Sequence, residues 1–157
     1  MKKLVSFYIV MICFGMVMVL YSTVNADNIH HNIGAGAGIP FGLLGVSYEL
    51  ETDLNDSISL GPVVSAGEGW NVGLQSHFLD KNQPVRLGLS AWYGTNATVN
   101  SKLKNGVTIG MDTRFQFGND LRNIIDFHIL YVASVETPYN IDDVNRVVLS
   151  LGYKFRF

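Results

Sequence analysis

The chain has 157 residues, 48% hydrophobic and only 15% charged, with 16 Gly, 4 Pro and one Cys. That length suits one domain, and an aromatic share of 11% argues against disorder. With 11 Lys+Arg against 13 Asp+Glu, a formal charge of −2 leaves no basic excess for nucleic acid, yet so few charges are unusual for a soluble domain.

Lys2 and Lys3 precede an apolar run from Leu4 to Tyr21, followed by Ser22-Thr23-Val24-Asn25-Ala26. A basic start, an apolar middle and small residues at the −3 and −1 positions spell a cleavable secretory signal peptide over 1–26, with Val24 and Ala26 at those positions. The other reading is an uncleaved anchor, because the run is about long enough to cross a bilayer. Residues 27–157 then form one exported domain. That domain has no cysteine, so its stability rests on no disulfide. It has no second apolar run of transmembrane-helix length either. Embedded in a membrane, it would have to be a barrel, the other structure that satisfies its own backbone in lipid.

Period-2 alternation predicts eight strands in chain order. Residues 32–39 set Ile33, Ala35, Ala37 and Ile39 against Asn32, Gly34, Gly36 and Gly38. Residues 43–51 set Leu44, Val46, Tyr48 and Leu50 against Gly45, Ser47 and Glu49. Residues 57–66 set Ile58, Leu60, Val64 and Ala66 against Ser59, Gly61 and Ser65, interrupted by Pro62. Residues 70–79 set Trp70, Val72, Leu74 and Phe78 against Asn71, Gly73, Gln75 and His77. Residues 85–94 set Val85, Leu87, Leu89, Ala91 and Tyr93 against Arg86, Gly88, Ser90 and Gly94. Residues 106–117 set Val107, Ile109, Met111, Thr113, Phe115 and Phe117 against Thr108, Gly110, Asp112, Arg114 and Gln116. Residues 124–134 set Ile125, Phe127, Ile129, Tyr131 and Ala133 against Asp126, His128 and Ser134. Residues 147–157 set Val147, Leu149, Leu151, Tyr153, Phe155 and Phe157 against Val148, Ser150, Gly152, Lys154 and Arg156.

The polar face carries most of the glycines, which suits a crowded interior better than a water-facing surface. In a small membrane barrel that interior must be filled by small and polar side chains while the apolar face meets lipid. The expected fold is therefore all-β: a closed antiparallel eight-stranded transmembrane barrel. A soluble periplasmic ligand-binding barrel is the competing architecture. Short turns at 52–56, 80–84 and 118–123 would face the periplasm; connections at 39–42, 67–69, 95–105 and 135–145 would face outward. Outward aromatics then fall at two levels: Tyr48, Phe78, Phe115, Phe117, Phe127, Tyr153, Phe155 and Phe157 near one rim, Phe41, Trp70, Tyr93 and Tyr131 near the other.

Inward ionisable candidates are Glu49, Arg86, Asp112, Arg114, Asp126, His128, Lys154 and Arg156, with His77. Both signs occur in comparable number, so a lumen ion-pair network that plugs the barrel is expected. A narrow ion-conducting path through the same charges is the alternative.

The closing residues Ser150-Leu151-Gly152-Tyr153-Lys154-Phe155-Arg156-Phe157 resemble the terminal assembly signal of bacterial outer-membrane proteins, carried by Ser150, Gly152, Phe155 and Phe157. That resemblance implies delivery by periplasmic chaperones and insertion by the barrel-assembly machinery, with Phe157 as the recognised end. In architecture the exported part resembles the small barrels of the OmpA transmembrane-domain and OmpX kind. The implied setting is the outer membrane, a monomer among lipid and lipopolysaccharide, with a structural or surface-interaction role for loops 95–105 and 135–145.

Chemistry is less well signalled. Lipid-A deacylase barrels resemble a His-x-Ser pair, whereas here His128 is followed two positions on by Leu130. Asp126, His128 and Ser134 share inward parity, but Ser134 lies about 20 Å along the strand from His128. His30-His31 lacks a third ligand for a metal, and Asp142-Asp143 reads as a solvated acidic loop more readily than a calcium site. Asn96-Ala97-Thr98 matches a glycosylation acceptor, a chance occurrence if the host is bacterial. Gly34-Ala35-Gly36-Ala37-Gly38 lacks the following helix of a phosphate loop. No catalytic, cofactor or metal site is expected, and a lipid-A-modifying enzyme is the runner-up function.

Overall fold

The computed structural model describes residues 28–99, 102–136 and 146–157. Strands β1 (Ile29–Gly38), β2 (Leu43–Asp53), β3 (Ile58–Gly67), β4 (Trp70–Phe78), β5 (Val85–Val99), β6 (Lys102–Phe117), β7 (Asn123–Val135) and β8 (Val147–Arg156) follow in chain order. Each pairs antiparallel with its neighbours, and β8 returns to β1 to close the sheet into a barrel. The expected signal peptide, most of the 135–145 connection and Asp142-Asp143 lie outside the described residues.

Polarity is inverted relative to a water-soluble domain. Leu89, Met111, Ile129 and Leu149 are register partners across β5, β6, β7 and β8. They form one continuous outward row, each more than half exposed, with Met111 and Leu149 at 62%. The opposite parity of the same strands is buried and carries Arg86, Asp112, Arg114, Asp126, His128 and Lys154. Alternation thus sorts the side chains as period 2 requires, with the charges inside.

Several local features differ from the sequence expectation. The connection expected over 95–105 is mostly strand: β5 runs to Val99 and β6 begins at Lys102, with Val99 paired to Lys102. The register slips between Thr95 and Ala97, and the extra residue Asn96 turns inward, its Nδ2 donating to Gly106 O at 2.7 Å. A second slip beside Val107 leaves Ala133 without a register partner on β6. Such an extra residue reverses the facing of the rest of its strand, so Ser134 is exposed, and Asp126, His128 and Ser134 do not share a face. Pairing of β2 with β3 skips from Glu49↔Val63 to Thr52↔Leu60, across the point where Pro62 offers no N–H to the ladder.

The first connection also departs from expectation. Ile39–Phe41 form a single 3-10 turn, entered at Gly38 (φ 109°) and left at Gly42 (φ 65°), backbone conformations that glycine tolerates. The turn folds into the barrel mouth, and Asn71 Nδ2 donates to Ile39 O at 3.0 Å. Ile39 and Phe41, expected to face outward, are fully buried.

Candidate functional site

The inward parity of β2, β5, β6, β7 and β8 brings acids and bases together in one buried cluster. Arg114 on β6 is its centre. Its Nε lies 3.0 Å from Asp126 Oδ1, Nη1 donates to Glu51 Oε2 at 2.7 Å, and Nη2 donates to Glu49 Oε2 at 2.8 Å. Lys154 Nζ reaches Glu49 Oε2 at 2.8 Å, Asp126 Oδ2 at 2.7 Å and Gln75 Oε1 at 3.0 Å. Arg86 Nη1 and Arg156 Nη2 close on opposite oxygens of Glu51, at 2.9 Å and 2.7 Å. Ser59 Oγ donates to Glu51 Oε1 at 2.6 Å, and Asn32 Nδ2 donates to Glu51 Oε2 at 3.0 Å. Charge-assisted bonds from several cations are what permit such burial, since an unpaired ion inside would be expelled or neutralised.

Above this cluster, on the side away from the chain ends, lies a layer of imidazole and carboxylate. His77 Nε2 lies 2.9 Å from Asp112 Oδ2, an ion-pair distance without hydrogen-bond alignment. His128 is the register partner of Asp112 across β6–β7. Gly88 is the register partner of both His77 and Asp112, and a side chain there would run into the Asp112 carboxylate. A glycine between them is what lets β4 and β6 touch across β5.

Higher still, the interior becomes apolar. Ile39, Val63, Trp92 and Leu130 pack together with Val148 against them. The ring of Phe41 sits where side chains at Gly36 and Gly152 would otherwise stand. Charged plug, imidazole layer and apolar cap thus fill the barrel in sequence. At the rim where β1 begins and β8 ends, a cavity of about 500 Å³ opens among His30, Asp53, Lys81, Arg122, Arg156 and Phe157. There His30 Nε2 lies 3.1 Å from Asp53, while His31 Nδ1 meets Tyr48 Oη at 2.6 Å. The two adjacent histidines therefore serve different partners.

The expected lumen residues Glu49, Arg86, Arg114, Asp126, Lys154 and Arg156 lie in the charged cluster, and Asp112 and His128 in the layer above it. The residues of the assembly pattern each occupy a distinct place. Ser150 Oγ donates to Ala37 O at 2.8 Å. Gly152 leaves room for Phe41, and Phe155 projects outward. Phe157 N donates to His31 O at 2.9 Å, and its ring stacks on His31 at 5.7 Å between centroids.

Sequence reasoning missed Glu51, the acid with the most partners, because the expected strand ends at that residue; its parity with Glu49 was the available signal. It also passed over Trp92, Leu130 and Val63, large apolar residues on the polar parity. No protein-family model matches the chain, and comparison with curated proteins and with solved structures gave no match.

Proposed function

We propose that the chain is a small bacterial outer-membrane barrel, exported by residues 1–26, with a closed lumen and a structural or surface-interaction role. The observation that carries this reading is the inverted polarity: charged side chains fill the interior while the outward row Leu89, Met111, Ile129 and Leu149 is left uncovered. In water that surface would be a large aggregation-prone patch; in hydrocarbon it is the required one. Strand number and the pattern ending in Phe157 support grouping it with the OmpA transmembrane-domain and OmpX kind, and support insertion by the barrel-assembly machinery. A structural role is favoured over lipid-A chemistry because Ser134 turns away from His128, while Ser150, the register partner of His128, donates its hydroxyl to Ala37 O at 2.8 Å. Heat-modifiable migration on electrophoresis of the protein from an outer-membrane fraction tests the proposal. Recovery in the periplasmic extract instead would refute it.

A further inference from the structure

Five carboxylates are buried: Glu49, Glu51, Asp112 and Asp126 within the lumen, and Asp53 at its rim, where His30 and Lys81 meet it. Among the described residues, Glu49 pairs with Arg114 and Lys154, Asp126 with the same two cations, and Glu51 with Arg86, Arg114 and Arg156. Asp112 is the exception. It is 3% exposed, and its ion-pair contact is with an imidazole, His77. The four lumen cations Arg86, Arg114, Lys154 and Arg156 are all engaged by Glu49, Glu51 and Asp126.

A buried carboxylate without a cationic partner is costly. A proton on a neighbouring imidazole relieves that cost, and it places one proton within His77, Asp112 and His128. Both imidazoles are fully buried; His77 Nε2 faces Asp112 Oδ2 at 2.9 Å, and among the described residues neither ring nitrogen of His128 has a hydrogen-bond partner. We propose that His77, Asp112 and His128 form a buried proton-binding site that takes up and releases one proton as a unit.

The surroundings of the two rings are defined. Around His77 stand Glu49 and Glu51 from β2, Arg86 from β5, Asp112 from β6 and His128 from β7. Around His128 stand Asp126 on its own strand, Asp112 from β6, Lys154 from β8 and His77 from β4, with Trp92 of β5 edge-on at 6.4 Å. Asp112 is the acid common to both rings, with Gly88 leaving the gap across which His77 meets it. The nearby cations Lys154 and Arg86 oppose a second proton, which limits the site to one. Uptake adds one positive charge to the lumen, so the interior of this barrel responds to acid at one defined layer.

The test is residue-resolved ¹⁵N NMR of the histidine rings in the folded protein between about pH 4 and pH 9, the range in which imidazoles titrate. The site requires His77 and His128 to change together in one step, and requires Asp112→Asn, which removes the acid common to both rings, to abolish that common step. Rings that keep one charge state throughout, that titrate in separate steps, or whose common step survives Asp112→Asn overturn it. Should Asp112→Asn fail to fold, the wild-type rings decide alone: a common step supports the site, and its absence refutes it. The readout does not depend on where the barrel resides.

Discussion

The indole of Trp92 occupies the space over Gly73, its register partner across β4–β5. A Cβ at position 73 would meet the indole ring directly. Gly73→Val should therefore destabilise the barrel by about 1–3 kcal/mol, the usual cost of overfilling a packed interior. Trp92→Leu in the same chain should recover part of that loss, because the two positions share one volume. Urea unfolding of the four chains of that cycle measures the coupling, and strict additivity would show that the two side chains do not compete for space.

Arg114 carries a different kind of energy. Its guanidinium touches Glu49, Glu51 and Asp126 at once. Arg114→Ala leaves three buried acids short of a cation and should cost about 3–5 kcal/mol. Arg114→Lys should recover little of this, since one ammonium cannot bridge three carboxylates as a planar fork does. Denaturant midpoints of the two variants against wild type check the ranking.

Met111 separates the membrane reading from an aqueous one. It stands in the middle of the outward row at 62% exposure. In water, Met111→Arg should change stability by less than about 0.5 kcal/mol, as exposed substitutions do. In a bilayer it should cost about 2–4 kcal/mol. Folding yield and unfolding midpoint in lipid vesicles distinguish the two, and a vesicle-folded variant as stable as wild type would contradict a lipid-facing row.

Phe157 offers a contrast between recognition and stability. Phe157 is 59% exposed and, among the described residues, its aromatic contact is the stack on His31, so Phe157→Ala should lower the stability of the folded barrel by only about 1 kcal/mol. If the ring is the end read during assembly, the same substitution should lower the assembled fraction in cells several-fold. Heat-modifiable migration after expression, set beside refolding of purified protein in detergent, provides both numbers.

The periodic parts of this molecule were the legible parts. Alternation over β6, β7 and β8 located the strands and faced Arg114, Asp126 and Lys154 inward, because a pleated strand admits only two facings. The gaps have common physical causes. Glu51 escapes because the expected β2 stops there, whereas the strand continues to Asp53. Ser134 is misplaced because one unpaired residue, Ala133, reverses facing without any mark in composition. Phe41 reads as a surface residue because hydrophobicity alone does not tell a lipid-facing ring from one folded back over Gly36 and Gly152. Trp92 escapes for a related reason: it breaks the rule that inward residues are small, and does so where Gly73 makes room. Which acid meets which base is set by the stagger of strands around the ring, and no single strand records that stagger.

Ring closure joins parts of the chain that are far apart in sequence. Arg156 reaches Asn32 across 124 positions, and Lys154 and Arg156 of β8 bring cations to Glu49 and Glu51 of β2. Until the final strand arrives, the first strand lacks its second neighbour and the acids of β2 lack part of their compensation. Charge compensation of the β2 acids and the sealing of the sheet are thus completed in one event, when β8 joins β1. Non-local closure of this sort is slow and leaves open strand edges exposed while it is awaited. The unfinished sheet is open to pairing with copies of itself for as long as that wait lasts.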